Sequence, residues 1–251
     1  MNIGMSKASF VKNEEFPLKA KTSTNAIALT CAIKGIIGEE HKFDEMSLGI
    51  VAATSYGPLD TYMSSTEKLF SRGIRGLRPQ KVVHSVLCEP SCQVGIQNHA
   101  KAFNMTFSGG VTSGFQAMKA AALALEEKMA ENILVIGGDD TQLGTVSGAV
   151  LLGEKVCDFH LKAANVRFAY DISLTDCIKE QVVKELLDEA GLSEDIYTLS
   201  ADENGFERSF GGSDIFSALV NAQKLILSGK ENIMILETDE SGVIGGIIVG
   251  K

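Results

Sequence analysis

The sequence predicts an α/β protein made of two copies of one folding unit, and two observations lead to this prediction. Short, continuously apolar segments alternate with helix-like segments, which is typical of a sheet covered by helices on both faces. Residues 113–133 and 213–233 are also alike at a constant offset of 100 residues. The chain has 251 residues, which suits one large domain or two fused halves.

The repeated stretch consists of a helix and the buried strand that follows it. The two copies, SGFQAMKAAALALEEKMAENI and SDIFSALVNAQKLILSGKENI, share six of 21 residues. Apolar residues recur at helical spacing in both copies. Buried strands follow at 133–136 and 233–236, and second strands at 148–152 and 246–249. Any two α/β segments share some likeness, so the common order of elements is what favours a duplication.

The segments before the repeated stretch correspond more loosely. Each half is predicted to begin with a strand, a helix and a second strand. In the first half these lie at 2–11, 22–37 and 48–53, and in the second at 165–174, 174–190 and 196–201. The halves differ mainly at 56–112, a long excursion that 205–212 replaces in the second half. We therefore place the halves at 1–155 and 156–251, as one compact unit.

Composition excludes several classes of protein. Hydrophobic residues make up 45% of the chain, enough for a substantial core. The net charge is -9, whereas a nucleic-acid surface needs a basic face. No apolar run has the length of a membrane helix, and residues 1–15 lack the apolar stretch of a signal peptide. Five cysteines without a pairing pattern fit a reducing cytoplasm.

Several segments resemble the β-ketoacyl synthases of fatty-acid and polyketide synthesis, including their chain-length-factor relatives. Residues 49–57, GIVAATSYG, are similar to the strand and glycine turn of the family's first half. Residues 103–117, FNMTFSGGVTSGFQA, are similar to the strand and turn that carry the nucleophile. Further likenesses follow at 136–140, 190–196 and 241–246. The resemblance implies a thiolase-like fold, with pseudo-repeated halves in α-β-α-β-α layers, and two-fold dimers.

The chain also departs from the family pattern. After Gln142, where family members carry a longer insertion, it passes directly to GTVSG, and its second half is abbreviated. Condensing enzymes of this kind use a cysteine at a helix N-terminus, where the dipole favours the thiolate. They also use two neutral donors that stabilise an enolate. The resemblance places Val111 at the nucleophile position and Asp202 and Ser213 at the donor positions, so none of the three is retained.

The predicted function is that of a non-catalytic β-ketoacyl-synthase-like subunit, a chain-length-factor-like partner of an active ketosynthase in fatty-acid or polyketide biosynthesis. The excursion at 56–112 is expected to supply much of the dimer interface. A homodimer that binds acyl ligands, or a purely structural protein, remains an alternative. An acyl carrier protein is a possible further partner.

An active acyltransferase or thioesterase is another alternative. Cys88 and Cys92 lie near His84 and His99 in sequence, and a thiol paired with histidine is a legitimate nucleophile. Burial as small hydrophobic residues is the simpler expectation for these cysteines. Ser113 is a third candidate nucleophile, although its surroundings do not match the nucleophile elbow. The sequence has no phosphate loop, dinucleotide fingerprint or zinc spacing, so we expect no cofactor and no metal.

A basic cluster at 70–81 stands out in this acidic chain. Its members are Arg72, Arg75, Arg78 and Lys81. A solvated face is the ordinary interpretation of such a cluster. Docking of an acidic partner, such as an acyl carrier protein, is the functional one.

Overall fold

The computed structural model describes residues 1–12, 24–37, 43–141, 144–156, 158–193, 196–200 and 212–251. The helices are α1 (Thr24–Ile37), α2 (Leu59–Arg72), α3 (Pro79–Val83), α4 (Glu89–Gln97), α5 (Ser113–Glu126), α6 (Thr175–Ala190) and α7 (Asp214–Leu227). The strands are β1 (Ile3–Met5), β2 (Ser9–Lys12), β3 (Leu48–Thr54), β4 (Asn104–Ser108), β5 (Asn132–Thr141), β6 (Gly144–Gly153), β7 (Phe159–Phe168), β8 (Tyr197–Leu199), β9 (Asn232–Thr238) and β10 (Val243–Gly250). Short 3-10 turns lie at Ile74–Gly76, Gly110–Thr112 and Ile172–Leu174. In these parts of the chain, no helix is both long and apolar enough to cross a bilayer.

All the described strands belong to one mixed sheet. Its order is β4-β3-β5-β6-β1-β7-β10-β9-β8, and β2 pairs with β6 beside this path. The pairs β3–β4, β3–β5 and β8–β9 are parallel, and the other pairs are antiparallel. Within the sheet, the run β4-β3-β5-β6 of the first half therefore has a shorter counterpart in the run β8-β9-β10 of the second half.

Three hydrophobic clusters show that the sheet and helices form layers. The largest cluster contains side chains of both α5 and α7, together with alternate residues of β3, β5, β9 and β10. A second cluster packs α1 and α4 on the opposite face of the first-half strands. A third packs α6 on the opposite face of the second-half strands. The predicted α-β-α-β-α architecture is confirmed, with α5 and α7 in the middle layer.

Each central helix packs its first turn against the other half of the chain. Phe115 of α5 lies against Gly245 of β10, where an added Cβ would be 2.6 Å from the Phe115 Cβ atom. Phe216 of α7 lies against Gly137 of β5 and also fills the space beside Gly148 of β6. Both phenyl rings are almost completely buried. The glycines admit the rings, and this reciprocal packing fixes the two helix starts relative to each other.

The duplicated halves are visible in the element bounds. The starts of β5 and β9, at Asn132 and Asn232, are 100 residues apart, as the sequence repeat predicts. Both asparagine Oδ1 atoms fill the space beside a glycine at the end of the paired strand, Gly153 in one half and Gly250 in the other. The boundary that we place between residues 155 and 156 falls between β6 and β7, and it stays a prediction.

Two predicted strands differ clearly in the structure. The sequence predicts a single strand at 2–11, whereas the structure has two short strands, β1 and β2, which pair with different parts of β6. The sequence predicts the first strand of the second half at 165–174, whereas β7 runs from Phe159 to Phe168. The strand begins earlier because β1 pairs with its first residues, and it ends at the pair between Phe168 and Val243. Residues 172–174 form a 3-10 turn that leads into α6.

We predict that Gly245→Ala lowers stability. The new methyl group would overlap Phe115, and overpacking of a close-packed core costs about 1–3 kcal/mol. Gly35→Ala in α1 is the matched control, because its nearest neighbour is the Ser9 hydroxyl at 3.2 Å and alanine favours helix. Urea denaturation would measure both free energies of unfolding. Equal stability of the two variants would contradict the proposed packing role.

Candidate functional site

The N-termini of α5 and α7 meet beside the carboxyl ends of β3 and β5. A Cβ atom on Gly212, just before α7, would lie 2.7 Å from the Thr54 backbone and 2.8 Å from Ser113 Oγ. The Gly212 carbonyl oxygen is 3.0 Å from where a Gly114 Cβ would stand. Only glycine fits at these two contacts. The positive ends of two helix dipoles therefore share one region.

Val111 lies in the 3-10 turn that leads into α5. This is the place at which the helix dipole would favour a thiolate. A valine side chain has no group that can be acylated.

The two hydroxyl groups that follow Val111 are buried and already bonded. Thr112 Oγ1 donates to Asp239 Oδ2 at 3.0 Å and also to the Gly109 carbonyl at 3.4 Å. Ser113 Oγ donates to the Gly110 carbonyl at 2.8 Å. A serine nucleophile needs a general base that takes its proton. The Ser113 proton points to a main-chain oxygen, so the geometry does not support Ser113 as a nucleophile.

Ser213 is the residue that precedes the first turn of α7. Its side chain is fully buried, and Oγ has no hydrogen-bond partner among the residues that the structure describes. An unsatisfied buried hydroxyl costs about 1–3 kcal/mol. Asp202, the other predicted donor position, lies outside the described residues.

Asp139, near the end of β5, organises the turn that follows β3. Its Oδ1 atom accepts hydrogen bonds from Thr54 Oγ1 at 2.7 Å and from the amides of Ser55, Tyr56 and Gly57 at 2.6–3.0 Å. Its Oδ2 atom is buried without a partner in the described part of the chain. Burial raises the pKa of Asp139 to about 6, and the four donors oppose this rise. The structure therefore holds a carboxyl that titrates just below neutrality.

We predict that Asp139 makes stability fall between about pH 4 and pH 6. Below this range the carboxyl is protonated in both states. Within it, the folded chain holds a proton that the unfolded chain has released, so rising pH favours unfolding. Above pH 6 both states are ionised, and the cost stays constant. At 1.36 kcal/mol per pKa unit, the fall amounts to about 3 kcal/mol.

The measurement is urea denaturation across this pH range for wild type, Asp139→Asn and Asp188→Asn. The Asp139→Asn variant keeps an Oδ1 acceptor and removes the titration, so its stability should depend less on pH. Asp188 is an exposed carboxyl of α6 and serves as the matched control. Identical pH slopes in the two variants would show that Asp139 does not titrate as the structure indicates.

The cysteine pair is exposed, so the expectation that these residues are buried is wrong. Cys88 precedes α4 and Cys92 lies one turn later on the same outward face. Burial of the thiol, although partial, together with the neighbouring Cys88 raises the pKa of Cys92. His84 Nδ1 is hydrogen-bonded to Glu89 Oε1 at 2.8 Å. A raised pKa disfavours the thiolate, so Cys92 lacks the feature of an activated nucleophile.

The basic cluster lies on one projecting segment formed by α2, the 3-10 turn Ile74–Gly76 and α3. All four cationic residues of the sequence cluster are exposed there. Large apolar side chains stand among them, and Phe70 is 85% exposed and Ile74 81% exposed. The segment thus combines positive charge with apolar contacts that a partner could cover.

Two carboxylates of the site were missed by sequence reasoning. Asp139 and Asp140 are adjacent carboxylates near the end of a buried strand. This pattern in the sequence could have indicated a functional or structural role for Asp139. Asp239 follows β9 and meets Thr112 only through the fold. Nothing near it in sequence indicates this contact.

Two cavities lie away from this region. They have volumes of about 580 and 450 Å3 and are lined by Asn132 and Asn232, respectively, at the starts of β5 and β9. The helix starts and carboxylates described above stand at the opposite ends of these strands. In the described residues, no group of three or more His, Cys, Asp or Glu side chains could hold a metal ion.

Comparisons with known proteins show similarity in structure only. No family model matches the sequence, and no curated protein matches it. The ishigamide ketosynthase/chain length factor is 14% identical, with a TM-score of 0.80 over 93% of this chain and 82% of that one. A second match is a chain of AntDE:AntF (apo), a type II PKS acyl-carrier protein in complex with its ketosynthase bound to the hexaketide. That chain is 13% identical, with a TM-score of 0.84 over 99% of both chains. A β-ketoacyl synthase from Burkholderia phymatum is 10% identical, with a TM-score of 0.76 over 96% of this chain and 86% of that one. The chain therefore has the thiolase-like fold of the ketosynthases and chain length factors.

Proposed function

We propose that this chain, whose fold is that of the ketosynthases and chain length factors, is a non-catalytic subunit that pairs with an active ketosynthase. The observation that carries the proposal is Val111 at the start of α5. Around Val111, the starts of α5 and α7 and the ends of the strands meet in close glycine contacts. We infer from this close packing that the region serves a function other than catalysis.

The residues near Val111 also support a non-catalytic role. By the resemblance, Ser213 stands at a position where the family has a histidine or asparagine donor. Asp139 and Asp239 bring negative charge to a region where an enolate would need positive charge or neutral donors. A developing oxyanion would be repelled by these carboxylates. The chemistry would therefore belong to the partner subunit, and this chain would shape the interface and the acyl pocket.

The surface that fits a partner is formed by β4 and α4. Strand β4 is the terminal strand of the described sheet, and its outer edge pairs with no described strand. Beside it, α4 presents an outward stripe of Cys88, Cys92 and Ile96, and Ile96 is 68% exposed. Met105 of β4 is also exposed. An open strand edge flanked by apolar side chains invites pairing with another chain.

Two features argue against the alternative of an acyltransferase or thioesterase. Ser113 is buried and donates its proton to a carbonyl oxygen. The pKa of Cys92 is raised rather than lowered. The remaining alternative, a homodimer that binds acyl ligands or serves a structural role, differs from the proposal in the identity of the second subunit.

Affinity purification from the native cell under reducing conditions, followed by native mass spectrometry, tests the proposal. We expect a stoichiometric complex with a larger ketosynthase that carries the catalytic cysteine. A homodimer without such a companion would reject the proposal and favour the homodimeric alternative.

Interface variants locate the contact within the same experiment. Ile96→Asp should weaken the complex at least about tenfold, because it buries a charge in an apolar contact. Leu227→Asp is the matched control, since Leu227 is 65% exposed at the end of α7. Equal binding by the two variants would place the partner elsewhere.

The projecting basic segment is part of the proposal as a docking site for an acidic acyl carrier protein. The doubly reversed variant Arg75→Glu/Arg78→Glu should raise the Kd for a carrier about tenfold at low salt, and added salt should reduce the difference. Lys179→Glu/Lys184→Glu changes the net charge equally on α6, where both lysines are exposed. Similar losses in the two double variants would mean that only net charge matters. Isothermal titration against a purified carrier gives the measurement.

A further inference from the structure

Asp239 places a carboxylate against the turn that holds Val111. Its Oδ2 atom accepts the hydrogen bond of Thr112 Oγ1 at 3.0 Å. The same oxygen is 3.4 Å from the position of a Cβ on Gly110, whose φ is +66°. One oxygen of Asp239 is therefore bonded to Thr112 and lies beside Gly110, the two neighbours of Val111.

The turn between β9 and β10 holds this carboxylate in place. Asp239 Oδ1 accepts from the amides of Ser241 at 2.9 Å and Val243 at 3.1 Å, and from the Ser241 hydroxyl. The Asp239 amide in turn donates to the Val243 carbonyl at 3.0 Å. The side chain is therefore fixed at both oxygens, one to its own turn and one to the start of α5.

A fixed carboxylate at this point changes the electrostatics of the helix start. The positive end of a helix stabilises nearby negative charge, and Asp239 already supplies one such charge at the start of α5. A second negative charge within roughly 5–7 Å would be repelled by about 2–3 kcal/mol at an effective dielectric constant near 20. Position 111 lies between Gly110 and Thr112, which both stand beside Asp239, so a thiolate or an acyl oxyanion there would meet this repulsion.

We propose that Asp239 is a built-in anion at the start of α5, which keeps position 111 unfit for thioester chemistry whatever side chain stands there. The inference rests on the proposed function in one respect, the assignment of Val111 to the nucleophile position. It goes further because it names a second determinant of inactivity, independent of the missing cysteine. Restoring the cysteine alone would then leave a poorly reactive thiol.

Val111→Cys tests this directly, with the rate of iodoacetamide alkylation of residue 111 followed by peptide mass spectrometry against pH. In the single variant we expect a thiol pKa at or above the ordinary value of about 8.5. In Val111→Cys/Asp239→Asn, the thiol pKa should fall by at least about one unit, and alkylation at pH 7 should become about tenfold faster. The asparagine keeps an Oδ1 acceptor for the turn.

Val111→Cys/Glu240→Gln is the control, because it removes an exposed negative charge from the adjacent residue. Its alkylation rate should stay close to that of the single variant. If Asp239→Asn unfolds the chain, Asp239→Ser retains a hydroxyl acceptor and replaces it in the comparison. A low thiol pKa in Val111→Cys alone would overturn the inference, as would equal rates in the Asp239 and Glu240 variants.

This outcome is separate from that of the proposed function. Capture of a ketosynthase by the wild-type chain tests the subunit role and does not depend on the charge of residue 239. The thiol pKa tests Asp239 and does not depend on whether a partner is found.

Discussion

The reciprocal packing of Phe115 and Phe216 is the constraint on which the rest of the structure depends. Each ring leaves the first turn of a central helix and enters a space that glycines open in the strands of the opposite half. The two halves consequently cannot shift relative to each other without emptying a buried space. Because both rings lie in the first helical turn, the same packing brings the two helix starts together. The geometry of the candidate site is thus a product of core packing.

Within this frame the candidate site combines two helix N-termini with two carboxylates. The helix ends that converge near Val111 supply positive potential, and two carboxylates, Asp139 and Asp239, stand close to them. Asp139 uses its bound oxygen to shape the turn after β3, and Asp239 uses both oxygens to join two loops. Both carboxylates thus accept hydrogen bonds that fix turns, in a region where helix N-termini favour negative charge. The Ser213 hydroxyl and Asp139 Oδ2 are buried polar atoms of this region that have no hydrogen-bond partner among the described residues.

The sequence was sufficient for the fold because its signals are local or periodic. The repeat at 113–133 and 213–233 predicts the paired helices α5 and α7, and apolar runs predict β3, β5 and β9. Sequence reasoning failed where pairing partners decide the outcome, as in β7, whose first residues are strand because β1 lies beside them. It also missed the contact between Thr112 and Asp239, which are 127 residues apart. The exposure of Cys88 and Cys92 likewise depends on where α4 packs.

The outer edge of β4 affects the tendency of the chain to aggregate in the cell. The outer edge of β4 pairs with no described strand, and the exposed Ile96, Cys88 and Cys92 lie beside this strand. An exposed strand edge of this kind is a template for irregular self-association when no other chain covers it. Under the proposed pairing with a ketosynthase, synthesis of this chain in excess over its partner would therefore yield aggregates and species cross-linked through Cys88 and Cys92.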